Sequence, residues 1–242
     1  RGERAQIRRS NIVVAEPLVA DDQIAKEFVA KLGDAELGRV FTSLVESLSL
    51  AGDLGLLLRV EQLVARQAKR GQTGDLFAPP EERIRAALDR FVREEASPTN
   101  TRRRLFADDA AHGIALLGVA EKKYDTVLMN PPFGEMPRQI QEYADTHYAE
   151  GRNDIYAVFV RRASELAARA NGRVGALTSR AFVTGRDHRH FRRSLLADKD
   201  ERLSLFADLG AGVLDGAMVE TAAYVLAPPV ADDDDEVIEF ID

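Results

Sequence analysis

The stretch that decides the fold is residues 124–134, YDTVLMNPPFG. Its first half, residues 124–129, is a compact run that predicts a strand. Two prolines and a glycine then end the run abruptly, because proline cannot donate to a strand ladder. Asn-Pro and Pro-Pro dipeptides also occur in ordinary turns. Directly after a strand of an open α/β sheet, however, a turn stands where these sheets bind ligands.

Further strands and helices are predicted on both sides of this stretch. Strands are expected at residues 11–18, 173–178, 203–208 and 221–226, with helices at about 154–170 and 191–196. This alternation indicates a mostly parallel α/β sheet. Between residues 21 and 120 the apolar residues follow a helical period instead, which predicts helices at about 21–32, 37–50, 56–68, 79–95 and 103–120.

The predicted organisation is therefore a sheet domain interrupted by helices. Residues 1–20 and 121–230 form the sheet domain, residues 21–120 form an all-helical insertion, and residues 231–242 form an acidic linker. Residues 237–241 within that linker alternate like a strand, but the sequence offers it no partner.

Composition excludes several classes of protein. The 242 residues contain no cysteine, which excludes disulfides, thiolate metal sites and the covalent route to cytosine C5 methylation. The four histidines do not form an HExxH motif, so no metal site is predicted. No apolar run approaches the ~20 residues of a membrane span, and a cytoplasmic location is expected. The net charge of −7 means that contact with nucleic acid must come from local basic clusters.

The turn at residues 130–133 suits one kind of chemistry. An aromatic exocyclic amine is a poor nucleophile, because its lone pair is delocalised into the ring. The Asn130 side-chain oxygen and the Pro131 carbonyl can each accept one N–H of such an amine, which aims its lone pair. Pro131 and Pro132 stiffen the turn, and Phe133 offers a flat face for a base swung out of the helix. Transfer of a methyl group then depends mainly on orientation.

Here the sequence resembles the amino-group DNA methyltransferases that use S-adenosylmethionine. Residues 124–135 resemble their motif IV, in the NPPF form typical of N6-adenine enzymes. Residues 151–159, 172–182 and 205–226 resemble motif V, motif VI, and motifs VII and VIII, and residues 11–18 resemble the strand of motif III. The helical insertion is similar to that of large type IIG restriction-modification enzymes and BREX-type phage-exclusion methyltransferases.

The resemblance implies a fold, a cofactor and a substrate. The fold is a partial Rossmann-like methyltransferase sheet, and the cofactor is S-adenosylmethionine. Glu16, at the acidic position of motif III, and Asp154 and Tyr156, in the motif V helix, are candidate cofactor-binding residues. The substrate is double-stranded DNA with a flipped adenine, methylated at N6 in restriction-modification or phage defence, with other subunits of a defence system as partners.

A basic cluster at residues 186–193, RDHRHFRR, provides candidate contacts with DNA phosphates. Arg186, His188 and Arg189 are the candidates here, although a solvated helix end explains the cluster equally well. Arg180, in the stretch that resembles motif VI, is a further DNA-binding candidate.

Two departures from the family pattern stand out. No glycine-rich motif I precedes residue 11, so the chain is expected to begin after the first two strands of the sheet. Leu214 stands where an aromatic residue is common in motif VIII. Residues 208–212, DLGAG, contain a GxG that resembles motif I, but the strand predicted after it favours a hairpin.

Other functions stay open. The same turn occurs in methylases of rRNA guanine N2 and of release-factor glutamine, and cytosine N4 shares the chemistry of adenine N6. A non-catalytic fragment that binds DNA or a partner is the alternative from another class, with negligible cofactor affinity expected for the segment alone. A dinucleotide oxidoreductase is disfavoured, because no GxGxxG opens a helix after a strand.

Overall fold

The computed structural model describes residues 12–13, 22–48, 51–62, 83–84, 86–87, 90, 101–168, 170–197, 202–214, 219–229 and 239–241. The chain divides into two compact units, Arg1–Glu121 and Lys122–Asp242. None of the helices in the described ranges is both long enough and apolar enough to cross a membrane.

The described part of the first unit is helical. Its helices pack around an aromatic cluster in which the ring centre of Phe41 lies 4.7 Å from that of Phe28 and 6.0 Å from that of Phe106. Gly33 joins the first two helices with a φ of +64°, a conformation that glycine adopts without strain. The helices whose bounds are described are α1 (Asp22–Leu32), α2 (Ala35–Leu48), α3 (Ala51–Leu54) and α4 (Thr101–Ala120), with a 3₁₀ turn at Gly55–Leu57. Residues 60–62, 83–84, 86–87 and 90 are helical as well.

The second unit is a sheet with helices between its strands. Its described elements are β1 (Thr126–Met129), α5 (Arg138–His147), α6 (Ile155–Leu166), β2 (Arg173–Ser179), a 3₁₀ turn (Arg180–Phe182), α7 (Arg189–Ala197), β3 (Arg202–Gly210), β4 (Thr221–Ala227) and β5 (Glu239–Ile241). The strand order is β1-β2-β4-β3-β5. The β1–β2 and β3–β5 pairs are parallel, whereas β4 is antiparallel to both of its neighbours.

The core of this unit lies between the helices and the sheet. Tyr156 of α6 and Phe191 of α7 are buried beside Tyr224 of β4 and Phe206 of β3. Phe182, just after β2, contacts both layers, with its ring centre 5.7 Å from that of Phe191 and 5.2 Å from that of Tyr224. Burying each large apolar side chain contributes about 1.5–3 kcal/mol to stability. Because Phe182 packs against both Phe191 and Tyr224, it holds the start of α7 against the sheet.

The structure confirms the predicted α/β class and the hairpin of β3 and β4. The sheet is less parallel than predicted, because β4 runs against β2 and β3. Helix α5 was not predicted, since most of its residues are polar and only Ile140 and Ala144 on it are buried.

Two predicted boundaries and one predicted absence of pairing are wrong. Helix α6 ends at Leu166 rather than near residue 170, because Ala167 turns to an extended conformation and bridges to Tyr124. The helix expected from residue 56 is interrupted at its start by the 3₁₀ turn, which Gly55 opens with a φ of +50°. The strand expected to lack a partner has one, since Glu239–Ile241 pairs with residues 205–207 of β3.

Candidate active site

Several strands of the second unit end at one edge of the sheet, here called the carboxyl edge. β1 and β2 are parallel neighbours, paired from Thr126 with Arg173 to Met129 with Ala176, so their carboxyl ends lie on the same side. β3 is antiparallel to β4, which is antiparallel to β2, so β3 ends there too. Ligands of open α/β sheets bind outside such strand ends.

The elements that connect the strands bring more residues to the carboxyl edge. Helix α6 leads into the amino end of β2, so its first residues lie at the carboxyl edge. Helix α7 leads away from β2, so its first residues lie there as well. The site residues predicted between residues 130 and 189 belong to four separate stretches of sequence, and all four stretches reach the carboxyl edge. Glu16 lies outside the described residues.

The turn after β1 combines a buried anchor with exposed groups. Pro131 is buried, whereas Asn130 and Pro132 are exposed and Phe133 is partly buried. Gly134 has a φ of +112°, a conformation that residues other than glycine rarely adopt. The chain therefore turns away from the strand after Phe133, and the side-chain amide of Asn130 stays accessible to a ligand.

Asp154 caps helix α6. Its Oδ1 accepts a hydrogen bond from the backbone N–H of Tyr156 at 3.4 Å, as N-cap aspartates do. Partial burial raises the pKa of this carboxyl group, and the backbone hydrogen bond opposes the shift. Gly151 allows the preceding turn to approach the helix, since a Cβ at this position would lie 2.8 Å from the backbone of Ala157.

Tyr156 is fully buried, and its ring belongs to the core of the unit. Burial raises the pKa of its phenol strongly, so the group is neutral at any ordinary pH. Its Oη lies 3.4 Å from Nδ1 of His188. The structure thus brings together a cofactor candidate, Tyr156, which is fully buried, and a DNA-binding candidate, His188, which is partly buried.

Arg180 follows β2 directly and pairs with two carboxylates. Its Nη1 lies 2.5 Å from Oδ2 of Asp208, and its Nη2 lies 2.5 Å from Oε2 of Glu220. The hydrogen bond from Arg180 holds the pKa of Asp208 below its usual value. These pairs join the end of β2 to the end of β3 and the start of β4. Any DNA phosphate at this position would compete with both carboxylates.

Sequence reasoning missed three contributors to this edge. Asp208 and Glu220 pair with Arg180 from 28 and 40 residues away. Asn153 donates from its Nδ2 to the carbonyl of Asp187 at 2.5 Å. Nothing in the sequence pairs these residues, although Asp208 at the end of a predicted strand is a signal that could have drawn attention.

Three solved structures illustrate the proteins to which this chain is similar in structure. A protein from Listeria monocytogenes, described as a class I S-adenosylmethionine-dependent methyltransferase, has a TM-score of 0.40 and 11% identity, with 90% of each chain covered. The methyltransferase subunit of a type I restriction-modification system from Streptococcus thermophilus has a TM-score of 0.39 and 15% identity over 82% of this chain. A chain from a structure of a type I restriction-modification complex has a TM-score of 0.37 and 14% identity over 84%. The aligned part spans 57% of each of the last two.

No curated protein matches the chain. A family description does match, and it covers residues 44–210, which include helix α4, the turn after β1 and all of the carboxyl edge up to the end of β3. The chain belongs to the Eco57I restriction-modification methylase family.

Proposed function

We propose that this chain carries the catalytic turn of an S-adenosylmethionine-dependent enzyme that methylates N6 of adenine in duplex DNA, in restriction-modification or phage defence. Membership in a restriction-modification methylase family supports the reaction class. The single observation that supports the chemistry is the position of Asn130, which is exposed and follows β1 directly at the carboxyl edge.

The roles of the turn follow from its geometry. Asn130 accepts one N–H of the adenine amino group with its side-chain oxygen, and the carbonyl of Pro131 accepts the other. Both acceptors are held by a turn that two prolines stiffen and that a buried Pro131 anchors, so little reorganisation is needed. Phe133 stacks on the extruded base, which relieves part of the free-energy cost of unstacking it from the duplex.

The described residues of the carboxyl edge are compatible with the cofactor. S-adenosylmethionine would supply the electrophilic methyl group when bound. Its amine and hydroxyl groups are hydrogen-bond donors, and the partly buried carboxylate of Asp154 is an acceptor at the correct edge. Asp154 is therefore the described residue that we assign to cofactor binding, with Glu16 as a second candidate. Tyr156 supports this site through packing rather than through its phenol.

The test compares two asparagine substitutions in the full-length protein. Duplex DNA is incubated with methyl-labelled S-adenosylmethionine and digested to nucleosides, which are then separated. Loss of one positioned acceptor is worth about 10²–10³-fold in rate, so N130A should lower the rate of N6-methyladenine formation by that factor. N171A replaces an exposed asparagine at the opposite edge, before β2, and should leave the rate unchanged.

Two results would contradict the proposal, and a third would attribute the change in rate to folding. Label in N4-methylcytosine, or in RNA alone, would exclude adenine N6 in DNA as the target. A rate for N130A equal to that of the parent would exclude the role of the turn. Rates that fall equally in N130A and N171A would indicate a general loss of folding rather than a catalytic effect.

A further inference from the structure

Three arginines form an exposed face beside the carboxyl edge, here called the arginine face: Arg186, Arg189 and Arg193. All three residues are exposed. Arg189 and Arg193 lie four residues apart on α7, so their side chains project from the same side of the helix. Arg186 precedes the helix by one turn, and its carbonyl accepts a hydrogen bond from the N–H of Arg189 at 3.2 Å.

The guanidinium groups of the arginine face have no carboxylate partner among the described residues. Neighbouring arginines of the same region differ in this respect. Arg180 pairs with Asp208 and Glu220, and Arg192 donates from Nη1 to the carbonyls of Phe182 at 2.5 Å and Gly185 at 3.1 Å. The region therefore uses two arginines for internal hydrogen bonds and leaves three available to a partner.

The segment that carries the arginine face is held firmly in place. Asn153 donates to the carbonyl of Asp187, and His188 lies against Tyr156 at the start of α6. Gly185 lies close to the preceding 3₁₀ turn, where a Cβ would come within 2.6 Å of the carbonyl oxygen of Ala181. A segment that is already ordered loses less conformational entropy when a partner binds.

Charge and position together indicate the partner. The chain carries a net charge of −7, so three exposed arginines that have no carboxylate partner among the described residues form a locally basic surface. Arg189 and Arg193 are about 6 Å apart along the helix axis, which compares with an axial spacing of about 3.4 Å per phosphate on one DNA strand. The two side chains can therefore reach different phosphates. The start of α7 lies at the carboxyl edge, at which the proposed base-binding turn also lies, so the backbone of a duplex bound there would pass along this edge.

We infer that the arginine face binds the phosphate backbone of the DNA duplex, whereas Arg180 and His188 are positioning residues that hold the edge in shape. This inference rests on the proposed function for the identity of the polyanion. It assigns DNA contact to Arg193, and it moves Arg180 and His188 from DNA contact to internal support.

The test measures the salt dependence of DNA binding by the full-length protein. Fluorescence anisotropy gives the affinity for a fluorescein-labelled 24-base-pair duplex at a series of NaCl concentrations. Each phosphate contact adds about 0.9 to the slope of log affinity against log salt, so R189Q/R193Q should reduce the slope by about 2. K122Q/R173Q removes the same charge from exposed residues at the opposite edge and should leave the slope unchanged.

Each outcome either supports or overturns DNA binding by the arginine face. A slope reduced in R189Q/R193Q alone, with an unchanged melting temperature, supports the inference. An unchanged slope, an equal reduction in both variants, or no salt-dependent binding by the parent overturns it. The methylation assay with N130A tests the proposed reaction independently. If the salt slope falls in R189Q/R193Q but no adenine is methylated, DNA binding by the arginine face is supported and the proposed reaction is rejected.

Discussion

Asp34 illustrates how a single residue sets a helix boundary. Its Oδ1 accepts hydrogen bonds from the backbone N–H groups of Glu36 at 2.8 Å and Leu37 at 3.1 Å, and its Oδ2 lies 2.6 Å from Nη2 of Arg83. These interactions, the hydrogen bond from Leu37 first, hold the pKa of Asp34 below its usual 3.8. Asp34 is therefore the N-cap of α2.

We expect D34A to lower the free energy of unfolding by about 1 kcal/mol, the usual effect of losing a helix cap. D34N keeps the acceptor and should recover most of this loss at neutral pH. Because the folded pKa is depressed, the charge contributes stability above pH 3.8 that is lost as the pH falls through the folded value. Thermal unfolding at pH 7 and pH 3 measures both effects, and an equal destabilisation by D34A and D34N would contradict the capping role.

Unlike Asp34, Arg180 stabilises the protein through partners that are distant in the sequence, because Asp208 and Glu220 belong to or border other strands. R180Q should lower the melting temperature at pH 7, since Asp208 and Glu220 lose their shared cation. Asp208 has a depressed pKa, so its contribution is present above 3.8 and is lost as the pH falls through the folded value. The difference between parent and variant should therefore shrink on acidification. A difference as large at pH 3 as at pH 7 would exclude the ion pairs as its cause.

At the scale of elements, helix α4 contains two glycines with opposite environments. A Cβ at Gly118 would meet nothing within 4 Å, whereas a Cβ at Gly113 would lie 2.0 Å from Cδ1 of Leu48, which is buried. The first glycine only weakens the helix through its backbone entropy, and the second allows α4 to approach α2 closely.

We therefore expect G118A and G113A to change stability in opposite directions. G118A should raise the free energy of unfolding by about 0.5–1 kcal/mol, because alanine favours the helix. G113A should lower it by about 1–3 kcal/mol, because the added methyl group forces Leu48 from its place. Each variant is the control for the other in urea denaturation, and a change of the same sign in both would refute the close packing of α2 and α4.

Several elements could be predicted from their own residues. The strand before Asn130 and the turn after it depend on an apolar run and two prolines, which act locally, and β1 begins and ends within two residues of the predicted bounds. Helix α5 could not be predicted in this way, because its position depends on two buried side chains, Ile140 and Ala144, in an otherwise polar segment. The start and end of α6 also differ in kind. Asp154 is a local cap at its start, whereas at its end Ala167 pairs with Tyr124, which lies just before β1 and is distant in the sequence.

At the scale of the whole molecule, the sequence determined the order of the strands and of most of the helices, the helical character of the described first unit and the turn that carries Asn130. These features depend on periodicity, proline, glycine and caps, all of which act within a few residues. Only the tertiary structure decided which arginines face outward, that Tyr156 and His188 contact each other, and that the last described strand joins β3. The physical reason is that burial and ion pairing depend on partners far away in the sequence, and the antiparallel placement of β4 between β2 and β3 brings those partners together.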